Sequence, residues 1–158
     1  MDSAPLFVRS LKDADLPQAT GLFIDAYREG QWGEMWTAHR AKMRIDQIRG
    51  SPGSLALCCI EEGALIGVIL GRREIRVEDD YFFVDELFVS PARQHRGIGS
   101  MLVQHLEHML YMDSYKGVLL LTLREGSVAE FYSKVGYLIG PRMALFRKDS
   151  LDTSIVIL

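Results

Sequence analysis

Residues 92–102 read ARQHRGIGSML. Two arginines, a histidine and two closely spaced glycines stand directly before an apolar run with helical spacing, in which Ile98, Leu102, Leu106 and Met109 share one face. Immediately upstream, 81–89 (YFFVDELFV) has the length and apolar content of a buried strand. A loop between a strand and a helix brings unpaired amide donors and the positive end of the helix dipole to one point. Glycine lets an anion approach that backbone closely. Arg93 and Arg96 add positive charge, so the stretch is shaped to hold a phosphate or pyrophosphate.

Working outward, 97–112 reads as a helix and 118–123 as a strongly apolar strand. Two strands joined through a helix imply a parallel pair with a right-handed crossover. Upstream, 6–9 reads as a strand, 13–28 and 37–48 as helices with Thr37 as N-cap, and 55–60 and 64–72 as a hairpin turning at EEG. Downstream, 127–135 reads as a short helix with a capping box at Ser127 and Glu130, and 143–147 as a last strand. The tail, 152–158, is open between strand, dimer contact and disorder. The order of elements predicts a mixed α/β layer fold around one central sheet, in a single domain spanning 1–158.

Bulk properties fit a globular enzyme-sized domain. The chain has 158 residues, 48% of them hydrophobic and 25% charged, with a net charge of −3. No broad basic face is implied, which argues against nucleic acid as a partner. No run reaches membrane-spanning length and the N-terminal stretch lacks signal-peptide character, so a cytoplasmic setting is expected. Cys58 and Cys59 are neighbours on a predicted strand and point to opposite faces, so they read as free thiols in the core.

Among phosphate motifs, a Walker loop is absent and the dinucleotide fingerprint fails at Leu102. What remains is Gln94-His95-Arg96-Gly97-Ile98-Gly99, preceded by LFVSPAR and followed by SMLVQHL. In that placement the loop resembles the coenzyme A loop of the GNAT acyltransferase family. A second stretch, VLLLTLREGSVAEFYSKVGY, is similar to the family's later motif, with Tyr132, Gly136 and Tyr137 in register. The early segment GQWGEMWT loosely resembles acceptor-side segments of bacterial members. One departure is Glu125, where many members carry asparagine.

The resemblance implies a central, mostly antiparallel sheet of about six to seven strands, with about four helices on both faces. Strands 81–89 and 118–123 would form a splayed parallel pair. It implies acetyl-CoA as cosubstrate, held by the backbone of Leu87, Phe88 and Val89 and by the loop residues Arg93, Gln94, His95, Arg96, Gly97, Ile98, Gly99 and Ser100. The chemistry would be N-acetyl transfer to a primary amine by direct attack in a ternary complex.

An aliphatic amine arrives mostly protonated, since its pKa is about 10.4. A carboxylate can take that proton. The predicted strand supplies Asp85, aligned with Leu87 and Val89, and Glu86, aligned with Val84 and Phe88, on opposite faces. Asp85 is the preferred base. The alternative for either acid is an ion pair with an arginine from 72–76. Tyr132 resembles the family's general acid for the departing sulfur. Trp32, Glu34 and Trp36 are the candidates for the acceptor wall. His105 and His108 share a helix face but find no third ligand, so no metal is expected.

A small cationic amine (polyamine, aminoglycoside-like or amino acid) is the preferred acceptor. A protein N-terminus or lysine is the alternative, and a non-catalytic acetyl-CoA sensor is the rival from another class. The apolar residues 154–158 point to a homodimer.

Overall fold

Two apolar runs, LALCCIE and ALIGVILGRREI, meet across a turn at Glu62–Gly63 and form the middle of the sheet, β2 (Leu55–Glu61) and β3 (Ala64–Ile75). The computed structural model describes residues 4–150. β1 (Leu6–Ser10) pairs antiparallel with β2, and β4 (Asp80–Val89) pairs antiparallel with β3. β5 (Gly117–Leu120) joins β4 in parallel, giving the sheet order β1-β2-β3-β4-β5.

α1 (Leu16–Arg28) and α2 (Ala38–Arg49) cover one face. They bury Ala19, Phe23, Ala41, Ile45 and Ile48 against Cys58, Val68 and Leu70. α2 opens as expected, with the Thr37 hydroxyl accepting from the Arg40 amide at 3.2 Å. α3 (Ile98–Met112) covers the other face, its Ile98, Leu102 and Leu106 packing on Cys59, Ile69 and Val84. The cysteines are free and lie on opposite faces, as alternation requires. α4 (Ser127–Lys134) follows β5, with Phe131 packed on the α3 side.

Three sequence expectations change. The described residues hold five strands, not six to seven. The strand expected at 118–123 ends at Leu120, so Leu121, Thr122 and Leu123 leave the sheet. The strand expected at 143–147 does not form, although its residues are apolar; among the described residues no strand pairs with it. The tail at 152–158 lies outside the described residues.

Candidate active site

The site starts from a break in strand pairing. β4 and β5 pair from Tyr81–Gly117 to Val84–Leu120 and then part, so the β5-facing edge of β4 beyond Val84 has no strand partner among the described residues. On its other edge β4 carries a bulge: Leu70 faces Glu86 and Gly71 faces Val84, which leaves Asp85 as the extra residue. Gly71 is required there, because a Cβ would sit 2.0 Å from the Phe83 carbonyl oxygen.

The bulge resets which face each side chain takes. Phe82 and Val84 before it, and Leu87 and Val89 after it, all pack on the α3 side, whereas Phe88 joins the α1/α2 core. Asp85 and Glu86 therefore both point toward α2. The expectation of opposite faces is corrected, since strict alternation does not survive an inserted residue.

Where β4 and β5 part, a cavity of about 890 Å³ crosses the sheet. One end is lined by Phe23, Tyr27, Trp32, Glu34, Trp36 and Arg44. The other is lined by Gln94, His95, Gly97–Ser100, Phe131 and Tyr132, with Leu87–Val89 between. At that second end α3 begins at Gly97 (φ +78°), and no side chain caps its first-turn amides. His95 is also left-handed (φ +62°). Free amides at a helix start on a cavity wall are the donor set a pyrophosphate needs, so the residues present fit the phosphates of a coenzyme.

The loop arginines have a different neighbour from the one expected. Arg93 Nε and Arg96 Nη2 donate to the two oxygens of Glu61, at 2.5 and 2.8 Å, and pin the loop to the end of β2. Those hydrogen bonds hold the Glu61 carboxyl below its ordinary range. Arg93 still lines the cavity; Arg96 is not part of the lining.

Arg44 of α2 stands over both acids of β4. Its Nε donates to Glu86 at 2.8 Å and its Nη2 lies 3.6 Å from Asp85. The Tyr27 hydroxyl donates to the other Glu86 oxygen. Arg72 approaches Asp85 Oδ2 at 3.4 Å without a well-aligned hydrogen bond, so that buried oxygen has no partner. The arginine pairing weighed for 72–76 is thus real for Asp85. Burial pushes both carboxyls above their ordinary range; Arg72 and Arg44 oppose the rise at Asp85, and Tyr27 and Arg44 oppose it at Glu86. Burial, and then the charge of Glu86, also raise the Tyr132 phenol, which favours its neutral form.

The family model for the acetyltransferase (GNAT) domain matches residues 52–138, more than half of the chain. The chain belongs to the GNAT acetyltransferase family. It is an acyltransferase by that membership. Comparison with curated protein sequences finds no match. Among solved structures, aminoglycoside N-acetyltransferase AAC(6')-Iy in complex with CoA superposes with a TM-score of 0.74 at 14% identity, covering 94% of this chain and 98% of that one. A GNAT family acetyltransferase of Staphylococcus aureus gives 0.69 at 17%, covering 94% and 100%. A transcriptional regulator of Bacillus halodurans gives 0.75 at 12%, covering 92% and 100%. At these identities the likeness is one of fold.

Seen as a GNAT domain, the chain has site features that its motifs did not announce. Neither Tyr27 nor Arg44 belongs to a motif, yet Arg44 falls in the apolar stripe of Ala41, Ile45 and Ile48, and a cation in such a stripe is a readable signal. Gln31 is the other addition. Its Oε1 accepts from the Val128 amide and the Ser127 hydroxyl, both at 3.1 Å, and its Nε2 donates to the Glu125 carbonyl at 3.2 Å. The expected capping box at Ser127 and Glu130 does not form. Gly126 is the N-cap, and the cap comes from Gln31 across the cavity. Trp36 Nε1 donates to Glu34, and Trp32 packs edge-on to Tyr27 at 5.7 Å, so both tryptophans stand on the wall of this cavity. Among the described residues no three His, Cys, Asp or Glu side chains gather as a metal site, and no helix is long and apolar enough to cross a membrane.

Proposed function

We propose that this enzyme transfers an acetyl group from acetyl-CoA to a small cationic primary amine, by direct attack in a ternary complex. The observation that carries the reading is the single cavity through the parted strands, with an uncapped helix start at one end and buried carboxylates beside a phenol farther in. The amides of Ile98, Gly99 and Ser100 would take the pyrophosphate. The unpaired β4 edge at Leu87–Val89 would align the pantetheine and donate to the acetyl oxygen as negative charge develops there.

Of the two acids, Glu86 is favoured over Asp85 as the base. Its charge is felt by Tyr132, and its raised carboxyl is a stronger proton acceptor than an ordinary one. Asp85 lies between Arg72 and Arg44, two cations that favour its ionised form and oppose proton uptake. Glu86 receives the ammonium proton, directly or through water. The neutral nitrogen then attacks the thioester carbon, the C–N bond forms, the C–S bond breaks, Tyr132 delivers its proton to the sulfur, and the second proton that the nitrogen loses as the amide forms restores the phenol. Glu29, Glu34 and Glu86 beside Trp32 and Trp36 make the acceptor end acidic and aromatic, which suits a cation. Cys58 and Cys59, free and buried, fit a reducing cytoplasm.

The test is thermal stability with acetyl-CoA, CoA and NAD, followed by an amine panel read by thiol release. The expected result is a rise with both CoA species but not NAD, turnover with di- and polyamines, and loss of turnover in Glu86→Gln and Tyr132→Phe. Turnover confined to peptide N-termini or lysines would overturn the acceptor class. No stabilisation by either CoA species would overturn the donor.

A further inference from the structure

We propose that Gln31 is a positioning residue for the acid: it straps the acceptor-side loop to the start of α4, so that Tyr132 stands in place only while that loop is closed over the cavity. The proposal rests on the reading of Tyr132 as the proton donor to sulfur.

α4 has little of its own to hold it. It is eight residues long and none of them is fully buried. So short a helix does not stand by itself in water. Its N-cap is Gly126, which has no side chain to offer the free amides of the first turn. Two contacts fix the far end: Phe131 packs on the α3 side, and the Tyr137 hydroxyl, just past the helix, donates to Glu107 of α3 at 3.0 Å. Among the described residues, the side chain that bonds to the first turn is Gln31.

Gln31 comes from the opposite bank. It lies between Gly30 (φ +67°) and Gly33 (φ +55°), in the loop that carries Trp32 and Glu34 on the acceptor wall. Left-handed glycines on both sides give that loop a path few other residues would follow. The one amide answers three groups of the turn: Oε1 accepts from the Val128 amide and the Ser127 hydroxyl, and Nε2 donates to the Glu125 carbonyl. The approach is close, since a Cβ on Gly126 would come within 1.9 Å of Nε2. Val128 and Tyr132 are four residues apart, so they share one helix face a single turn apart. A first turn that frays or swings therefore carries the phenol with it. Gln31 itself is exposed, and ordering a long exposed side chain costs entropy. What that ordering secures is the register between the loop that meets the acceptor and the helix that carries the acid.

The experiment uses the full chain with acetyl-CoA and the fastest acceptor of the amine panel, whatever its class. Gln31→Leu removes the amide and keeps the bulk. It is expected to lower kcat and kcat/KM for the acceptor together, by about two- to thirtyfold, the factor to which a lost helix cap corresponds. In the Tyr132→Phe background the same change is expected to cost nothing further, because the group it positions is gone. A raised KM with kcat intact overturns the proposal and shows a loop that only holds the acceptor. An equal loss in both backgrounds overturns it too, since Gln31 then acts apart from Tyr132. Those two results leave the acid assignment standing. Wild-type turnover in Tyr132→Phe alone removes the acid, and this proposal with it. Where Tyr132→Phe is too slow to follow, the division between kcat and KM in Gln31→Leu decides.

Discussion

Replacing Arg44 with methionine removes the cation between Asp85 and Glu86 and keeps an unbranched stem on α2. Its Nε donates to Glu86 at 2.8 Å, and the two side chains are 30% and 13% exposed. A hydrogen bond between charged groups contributes about 1.5–3 kcal/mol, and about 1.4 kcal/mol corresponds to one pH unit. Burial already places the Glu86 carboxyl above its ordinary range, and Arg44 is one of the groups opposing that rise. Its loss acts in the same direction as burial, so Glu86 should hold its proton to a higher pH. The base is active as carboxylate. The acid limb of kcat/KM should therefore move up, and rates below the limb should fall about ten- to a hundredfold, the factor that such a hydrogen bond is worth. The plateau at high pH should be largely kept. The assay is a pH profile of thiol release with the best acceptor of the panel. A uniform loss at every pH, with the limb unmoved, would show that Arg44 holds the acceptor rather than setting the base; a downward shift would refute the electrostatic account.

Far from the site, Asp15 ties β1 to the start of α1. Arg9 reaches its two oxygens at 2.6 and 2.9 Å, the Lys12 amide donates at 2.7 Å, and the carboxyl is held down at about 2, chiefly by the Arg9 hydrogen bonds. A depressed folded-state value means that the stabilisation is present above the unfolded carboxyl's pKa of about 3.9 and drains away as pH falls through about 2. Asp15→Asn is expected to cost about 1–2 kcal/mol at pH 7, allowing for solvent screening of Arg9, whose side chain is 31% exposed, and far less at pH 2. Urea melts at the two pH values check this, and equal losses at both would contradict it. Gly71→Ala should be worse tolerated than an ordinary core overpacking of about 1–3 kcal/mol, because its Cβ would meet the Phe83 carbonyl at 2.0 Å and Phe82 Cε1 at 2.8 Å. Thermal melting within a degree of the wild type would show that the bulge relaxes freely.

The loop after β4 was legible because its chemistry is local: glycine spacing, a preceding strand and a following amphipathic helix all lie within about thirty residues, and each reports on its own backbone. The carboxylates were legible as residues but not as a pair. Their shared face depends on the bulge, and the bulge depends on Gly71 of the neighbouring strand. A lone glycine inside a strand pattern is a sign of a bulge, so that signal stood in the sequence. What it lacked was the register that says which residue across the ladder is displaced.

Gln31 marks a harder limit, because nothing near position 31 speaks of a helix that begins 96 residues later at Ser127. Residues 143–147 show the same limit from the other side. Their composition gives a strand propensity, but a strand exists only through its neighbour, and among the described residues none pairs with them. Side-chain pattern specifies what a segment can become, and pairing decides whether it does. The acids brought to one face by a bulge, the helix capped from across the cavity and the apolar segment at 143–147 without a neighbour among the described residues are three cases in which the partner carries the missing information.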